Sequence, residues 1–226
     1  MEKKVFEHVN VDLGYNDLTA STTKNGRVYT APDGSKYPSV TTVLSILSEQ
    51  HIQAWRKRVG EDVANQISHR SSSRGTLVHS IIERYLKNED TTDFLPHVRQ
   101  SLANLSPILD KHIGRILGLE SALYSTHLGL AGRCDCIAEW DGVPSIIDFK
   151  TSRRVKKREN ITNYFAQASA YAIMYEERTG IPIPNTVILM DVDDNEPLVF
   201  KEHRDEHVPT LMATIDEYDR RKLFHS

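Results

Sequence analysis

The dipeptide Asp141-Gly142 separates two apolar stretches, 132–140 and 143–150, and so commits the middle of the chain to a β-hairpin. Side chains alternate faces along a strand. Asp148 and Lys150 therefore share one face, and Ile147 and Phe149 share the other. Closing the hairpin brings Asp135 toward Asp148. Two carboxylates beside one ammonium suit hard-metal phosphodiester chemistry: oxygen ligands hold the ion, and the lysine orients or activates a water. The same residue types also end ordinary strands as solvated edge charges, so the choice falls to what surrounds them.

On the N-terminal side, Gly75 to Leu86 carries the spacing of an amphipathic helix. Val78, Ile81, Ile82 and Tyr85 form its apolar stripe. His79 and Glu83 lie four apart beside that stripe. His79 there either reaches a metal held by the carboxylates or pairs with Glu83. Gly75 and Thr76 open the helix in this reading. Its free N–H groups, with Arg74, would bind a phosphate, unless Thr76 simply starts the helix.

On the C-terminal side, Ile161 to Tyr175 also has helical spacing. Tyr164, Gln167, Ala168, Tyr171 and Tyr175 form one stripe. Such stripes are usually core, but a glutamine among them needs hydrogen-bond partners. Between hairpin and helix lie Arg153, Arg154, Lys156, Lys157 and Arg158, in a chain of net charge −3. Such a run is either a solvated loop or, directly after the acidic strand, a phosphate-tracking loop.

The rest of the chain supplies a frame. Residues 1–24 are polar and are expected to be loosely ordered. Tyr29, Pro32-Asp33-Gly34 and Tyr37 read as a small hairpin within 27–39, and Val40 to Ile46 and Ile52 to Val63 as helices. Trp55, set among Arg56, Lys57 and Arg58, suits either base stacking or a core position. Residues 97–117 read as one or two helices, Thr186 to Met190 as a buried strand, and Asp191 to Glu196 as an acidic turn. Leu198 to Phe200 follow as a strand and Val208 to Leu223 as a terminal helix. The fold class is α/β (α+β), a central mixed sheet flanked by helices. The divisions expected are a polar segment 1–24 and one domain, 25–226, comprising an N-terminal hairpin and helical part (25–74), a core (75–205) and a C-terminal helix (206–226).

Hydrophobic content of 39% with 26% charged residues fits a globular core. No apolar run is long enough to span a membrane, and the first residues lack the apolar stretch of a signal peptide. Cytoplasm, including that of a phage-infected bacterium, is expected. Cys134 and Cys136, two apart on a strand, are expected to share one face as small packing residues.

The motifs Gly75-Thr76-x-x-His79-x-x-x-Glu83, Gly132-x-x-Asp135, Asp148-x-Lys150 and Gln167-x-x-x-Tyr171 stand in an order that resembles the RecB-like exonuclease branch of the PD-(D/E)XK nuclease superfamily. Within it, Tyr37 to Leu44, Leu119-Glu120-Ser121-Ala122 and Asp148 to Ser152 are similar to the mitochondrial genome maintenance exonucleases and related phage exonucleases. The resemblance covers roughly residues 25–205. It implies a restriction-endonuclease-like core with one or two Mg²⁺ or Mn²⁺ ions held by His79, Asp135 and Asp148, and by the Phe149 carbonyl. It makes Lys150 the residue that positions the attacking water or stabilises charge on phosphorus, and it places Glu120 near the site. Glu83 would support His79, and Gln167 and Tyr171 would contact the DNA backbone. Cys134 stands where the superfamily name has a proline. Two cysteines cannot supply four thiolates, so no iron–sulfur cluster is expected.

The resulting expectation is a metal-dependent DNA exonuclease on single-stranded or frayed ends, serving replication, recombination or repair. The alternatives are a structure-specific endonuclease of the same fold and a non-catalytic DNA-binding module. DNA is the expected partner, with no membrane. The chain has no Gly-x-x-x-x-Gly-Lys-Ser/Thr motif, so any helicase, like any single-strand-binding protein, would be a separate partner.

Overall fold

A computed structural model describes residues 4–224. Three short strands open it: β1 (Thr19–Thr23), β2 (Gly26–Thr30) and β3 (Lys36–Pro38), an antiparallel sheet in that order. Helices α1 (Val40–Leu44) and α2 (Ile46–Val59) follow. Gly60, at φ 86°, turns the chain into α3 (Glu61–Leu86), a helix of 26 residues. Helix α4 (Pro96–His112) leads into the main sheet.

That sheet contains β4 (Ile113–Ser125), β5 (Leu130–Trp140) and β6 (Val143–Ser152), then crosses through α5 (Thr162–Thr179) to β7 (Asn185–Val192) and β8 (Leu198–His203). Helix α6 (Val208–Phe224) closes the described chain. The strand order is β4-β5-β6-β7-β8. Only β6 and β7 run parallel, which is why their connection needs a helix while β5 and β6 need only Asp141-Gly142. Both turn residues have positive φ, the backbone a tight hairpin demands.

Each face of the sheet buries its own apolar cluster. Helices α3 and α4 cover one with Ile81, Ile82, Leu105 and Leu109, against Trp140, Ile147, Phe149 and Leu189. Helices α1, α5 and α6 cover the other, where Phe165, Tyr175 and Leu211 meet Ile146, Ile188 and Met190. Each such side chain contributes about 1.5–3 kcal/mol on full burial. Ile147 and Phe149 point to the α3 side while Ile146 points to the α5 side, as the strand period requires. The mixed sheet with helices on both faces is the α/β arrangement expected. Among the described residues no helix is long and apolar enough to cross a membrane.

The course of the backbone departs from the sequence reading in four places. Residues 113–117 belong to β4, not to a helix. Register shifts between Ile113, Ile116 and Gly118 put the buried residues of this strand three apart, which imitates a helical stripe. Second, Gly75 and Thr76 do not open a helix but lie deep within α3. A single glycine costs a helix about 1 kcal/mol, and packing offsets that. Third, the second helical stretch runs from Ile46 through Val59 rather than from Ile52 to Val63, whose last residues begin α3. Finally, the polar N-terminal segment is tied down: Phe6 is buried, its N–H donates to Asn88 Oδ1 at 2.8 Å, and His8 bridges in parallel to Ile116.

Candidate active site

The hairpin places its charges where β5 and β6 part. Their pairing runs from Trp140–Val143 to Cys136–Ile147 and stops there. Asp135, the next residue, leaves the ladder, and its Oδ2 accepts the Phe149 N–H at 2.9 Å. This break also changes the step of β5. Cys134 packs in the α5-side cluster and Cys136 in the α3-side cluster, so the two cysteines do not share a face. Both are buried free thiols, as packing residues would be. Gly132 leaves room for the Tyr171 ring against this strand. A Cβ there would meet Tyr171 Cε1 at 2.7 Å and its hydroxyl at 2.8 Å.

Asp148 is buried, and its Oδ2 lies 2.6 Å from Lys150 Nζ. Gln167 Nε2 donates to its Oδ1 at 3.1 Å, which gives the glutamine of the aromatic stripe its partner. Lys150 also lies over the Tyr164 ring, 5.0 Å from the centroid. Burial pushes the Asp148 carboxyl up to about 6, against the opposing pull of Lys150. Burial alone would lower the Lys150 ammonium. The charges of Asp148 and Asp135 outweigh it and hold the group above its ordinary value. Lys150 is therefore a fixed positive charge at neutral pH.

His79, from α3, meets the other carboxylate, with Nδ1 at 3.5 Å from Asp135 Oδ1. Glu120 of β4 joins them. One ligand atom from each of His79, Glu120 and Asp135 lies within 4.8 Å of the others. Glu120 has φ 47°, the left-handed region that side chains rarely adopt. It sits between the Leu119–Cys136 and Ser121–Cys134 pairs, opposite the point where Asp135 leaves the ladder. Burial and the nearby Asp135 raise its carboxyl to about 7. Burial would raise the Asp135 carboxyl too, but the bond and charge of His79 prevail and lower it. The same pair raises the His79 imidazole against its own desolvation. One imidazole and two carboxylates crowded in this way form an oxygen-rich donor set that fits a divalent cation. In this geometry Glu120 takes the third place beside His79 and Asp135, while Asp148 is held by Lys150 and Gln167.

These groups line a cavity of about 470 Å³ that also admits Arg27, Thr41, Gly75, Thr76 and Tyr171. Tyr171 is almost wholly buried against Gly132, so only its edge reaches the cavity. Arg74 lies outside it, paired with Asp191 at 2.7 Å and Asp193 at 2.8 Å. Thr76 Oγ1 donates to the Ser72 carbonyl within the helix. Glu83 lines the cavity but accepts from Lys87 Nζ at 2.6 Å rather than pairing with His79. Arg153, Arg154, Lys156 and Lys157 are exposed on the strand exit beyond Lys150, outside the cavity, and Arg158 pairs with Glu202. Trp55 is half-buried on α2, a helix with no buried residue, which does not suit a core tryptophan. Sequence reasoning missed Arg27 altogether; nothing in its local pattern marks a residue of a separate sheet as a neighbour of Asp135.

An α/β core with two carboxylates and a lysine at the parting of adjacent strands defines a class. The chain belongs to the PD-(D/E)XK nuclease superfamily, whose model matches residues 98–222. Among curated proteins it is similar to mitochondrial genome maintenance exonuclease 1 of Homo sapiens, 29% identical over 132 residues, covering 53% of this chain and 38% of that protein. The Mus musculus protein of the same name is 26% identical over 172 residues, covering 71% of this chain and 51% of its own length. The chain thus spans about half or less of these relatives. A solved structure from Eubacterium rectale aligns with a TM-score of 0.46 at 14% identity, covering 68% of this chain and 69% of that one.

Proposed function

We propose that this chain is a divalent-metal-dependent DNA exonuclease that hydrolyses phosphodiester bonds at single-stranded or frayed ends, in replication, recombination or repair. The observation that carries the reading is the meeting, in one cavity, of His79, Glu120 and Asp135 within 4.8 Å of one another, beside a Lys150–Asp148 pair at 2.6 Å. A binding module has no use for a carboxylate cluster facing phosphate. The curated relatives, named as exonucleases, support the same reaction class.

Mg²⁺ or Mn²⁺ held by His79, Glu120 and Asp135, with Asp148 and the Phe149 carbonyl at hand, would supply Lewis-acid charge neutralisation at the phosphate. The protein's own part is positioning. Asp148 and Tyr164 fix the Lys150 ammonium in place. Being charged, Lys150 serves as a donor to water or to a phosphate oxygen as negative charge develops on it, not as the resting base. Gln167 holds Asp148 in turn. The loop with Arg153, Arg154, Lys156 and Lys157 would follow the strand away from the site, and its exposure just beyond Lys150 supports that role. The arch of α2 and the first half of α3, almost without buried residues, would lie over the bound strand.

The experiment is digestion of end-labelled linear and of circular single-stranded DNA with Mg²⁺ or Mn²⁺, alongside Asp148→Ala. Loss of the linear strand alone, absent in the variant, is the expected result. Cutting of the circle would assign an endonuclease instead, and DNA binding without any metal-dependent cutting would make the chain a binding module.

A further inference from the structure

The cavity has a second wall. Arg27 of β2, in the small N-terminal sheet, and Thr41 of α1 line the same cavity as His79, Glu120 and Asp135. Three guanidinium or ammonium groups line the cavity. Lys150 is paired with Asp148 and Arg133 with Asp17 at 2.6 Å. Arg27 is exposed and, among the described residues, its guanidinium has no carboxylate partner. A cation left unpaired beside several carboxylates is suited to a charge that arrives from outside.

Its backbone, by contrast, is tightly held. The Arg27 N–H donates to Thr42 Oγ1 at 3.1 Å, and its carbonyl accepts the Ser39 N–H at 2.8 Å. Ser39 is buried, caps α1 by accepting the Thr42 N–H at 3.0 Å, and bridges in parallel to Ala131 of β5. Gly26 lets β2 press onto this point: a Cβ there would clash with the Thr42 side chain. The stretch Ser39-Val40-Thr41-Thr42 thus has a physical task. The Thr42 hydroxyl and the Ser39 backbone hold β2 against the main sheet, and with it Arg27 in the lining of the cavity.

We propose that Arg27, with the Thr41 hydroxyl beside it, grips a non-scissile phosphodiester of the bound DNA strand, on the wall opposite the metal ligands. A guanidinium fork matches two phosphate oxygens at once. Holding a second phosphate fixes the strand's register, so that the scissile one meets Lys150. The role rests on the reading of the cavity as a nuclease site.

The test uses a 5′-fluorescein single-stranded oligonucleotide and the full chain. Binding is followed by anisotropy in EDTA across a salt series, and cleavage is then measured with Mn²⁺. Arg27→Ala is expected to weaken binding about tenfold, as loss of one charged hydrogen-bonded contact does. The slope of log affinity against log salt should shrink by about 0.7, the share of one phosphate on a single strand. KM should rise with the loss of affinity, and Arg27→Lys should recover part of it. A neutral methylphosphonate at the contacted position should weaken wild-type binding and leave Arg27→Ala indifferent. Affinity within about twofold of wild type and an unchanged slope would overturn the subsite, as would a wild-type protein that does not bind the strand. Wild-type binding without cleavage would overturn the nuclease reading alone, since the slope still reports on Arg27.

Discussion

Lys150 and Glu120 show how much of the site's chemistry depends on immediate neighbours. Lys150 keeps its charge because Asp148 lies 2.6 Å away, though burial works against it. Lys150→Met should lower the cleavage rate by roughly 10²–10³-fold, the usual loss for one stabilising donor. Oligonucleotide binding in EDTA should persist. Glu120 is the reverse case, a carboxyl raised from an ordinary 4.5 to about 7 by burial and by Asp135. Its folded form binds the proton more tightly than its unfolded form. Its contribution to stability is therefore present below pH 4.5 and is lost as pH rises through about 7. Glu120→Gln should make the metal-free protein more stable than wild type at pH 8, by about 1 kcal/mol after allowance for partial exposure. The difference should vanish near pH 4.5, and the melting-temperature gain from Mn²⁺ should shrink in the variant. Thermal melts at several pH values, with and without metal, decide it. The convergence of Asp135, Asp148 and Lys150 was legible from the hairpin alone. Glu120 was placed near them only through the family resemblance, and its approach to His79 and Asp135 depends on a left-handed backbone in the middle of a strand.

Helix α3 carries His79 and is fastened to the sheet one and a half turns earlier. Arg74 binds Asp191 and Asp193 of the β7 end, and Ser101 of α4 donates to the same Asp191 at 2.6 Å. This network joins two helices to one strand across buried surface. Arg74→Met would leave Asp191 with Ser101 and a long contact from Asn104. A cost of about 1–3 kcal/mol is expected for the partly unpaired buried carboxylate. Mn²⁺ affinity should fall as well, since His79 loses its anchorage. Calorimetric titration of the variant with Mn²⁺ measures the second effect separately from the first. The elements themselves were largely readable. Strong apolar periods marked α5, α6, β6 and β7, and Asp-Gly marked the hairpin. Strand β4 was misread because its bulges space Ile113 and Ile116 like helix residues. The interior of α3 was misread because glycine and serine weaken a helix locally while tertiary contacts sustain it.

Taken whole, the molecule joins a well-packed sheet to a thinly packed helical arch, α2 and the first half of α3. Residues 46–73 contain a single buried position, Ala64, so their local stability is expected to lie far below that of the sheet. Trypsin should cut first after Arg56, Lys57, Arg58 or Arg70, leaving the sheet intact. A single-stranded oligonucleotide should slow that cleavage markedly and a blunt duplex much less, if the arch covers a bound strand. Equal protection by both would remove the arch from end recognition. The sequence alone determined the hairpin, the order of the acidic and basic residues, and the alternation that sends Asp148 and Lys150 to one face. These follow from turn chemistry and from the period of a strand, which act over a few residues. Only the tertiary structure decided that Glu120 joins His79 and Asp135, that Asp148 is engaged by Lys150 and Gln167, that Arg74 is a structural anchor, and that Arg27 faces the site. Those contacts join residues far apart in the chain. They depend on register, bulges and helix docking, which no local pattern encodes.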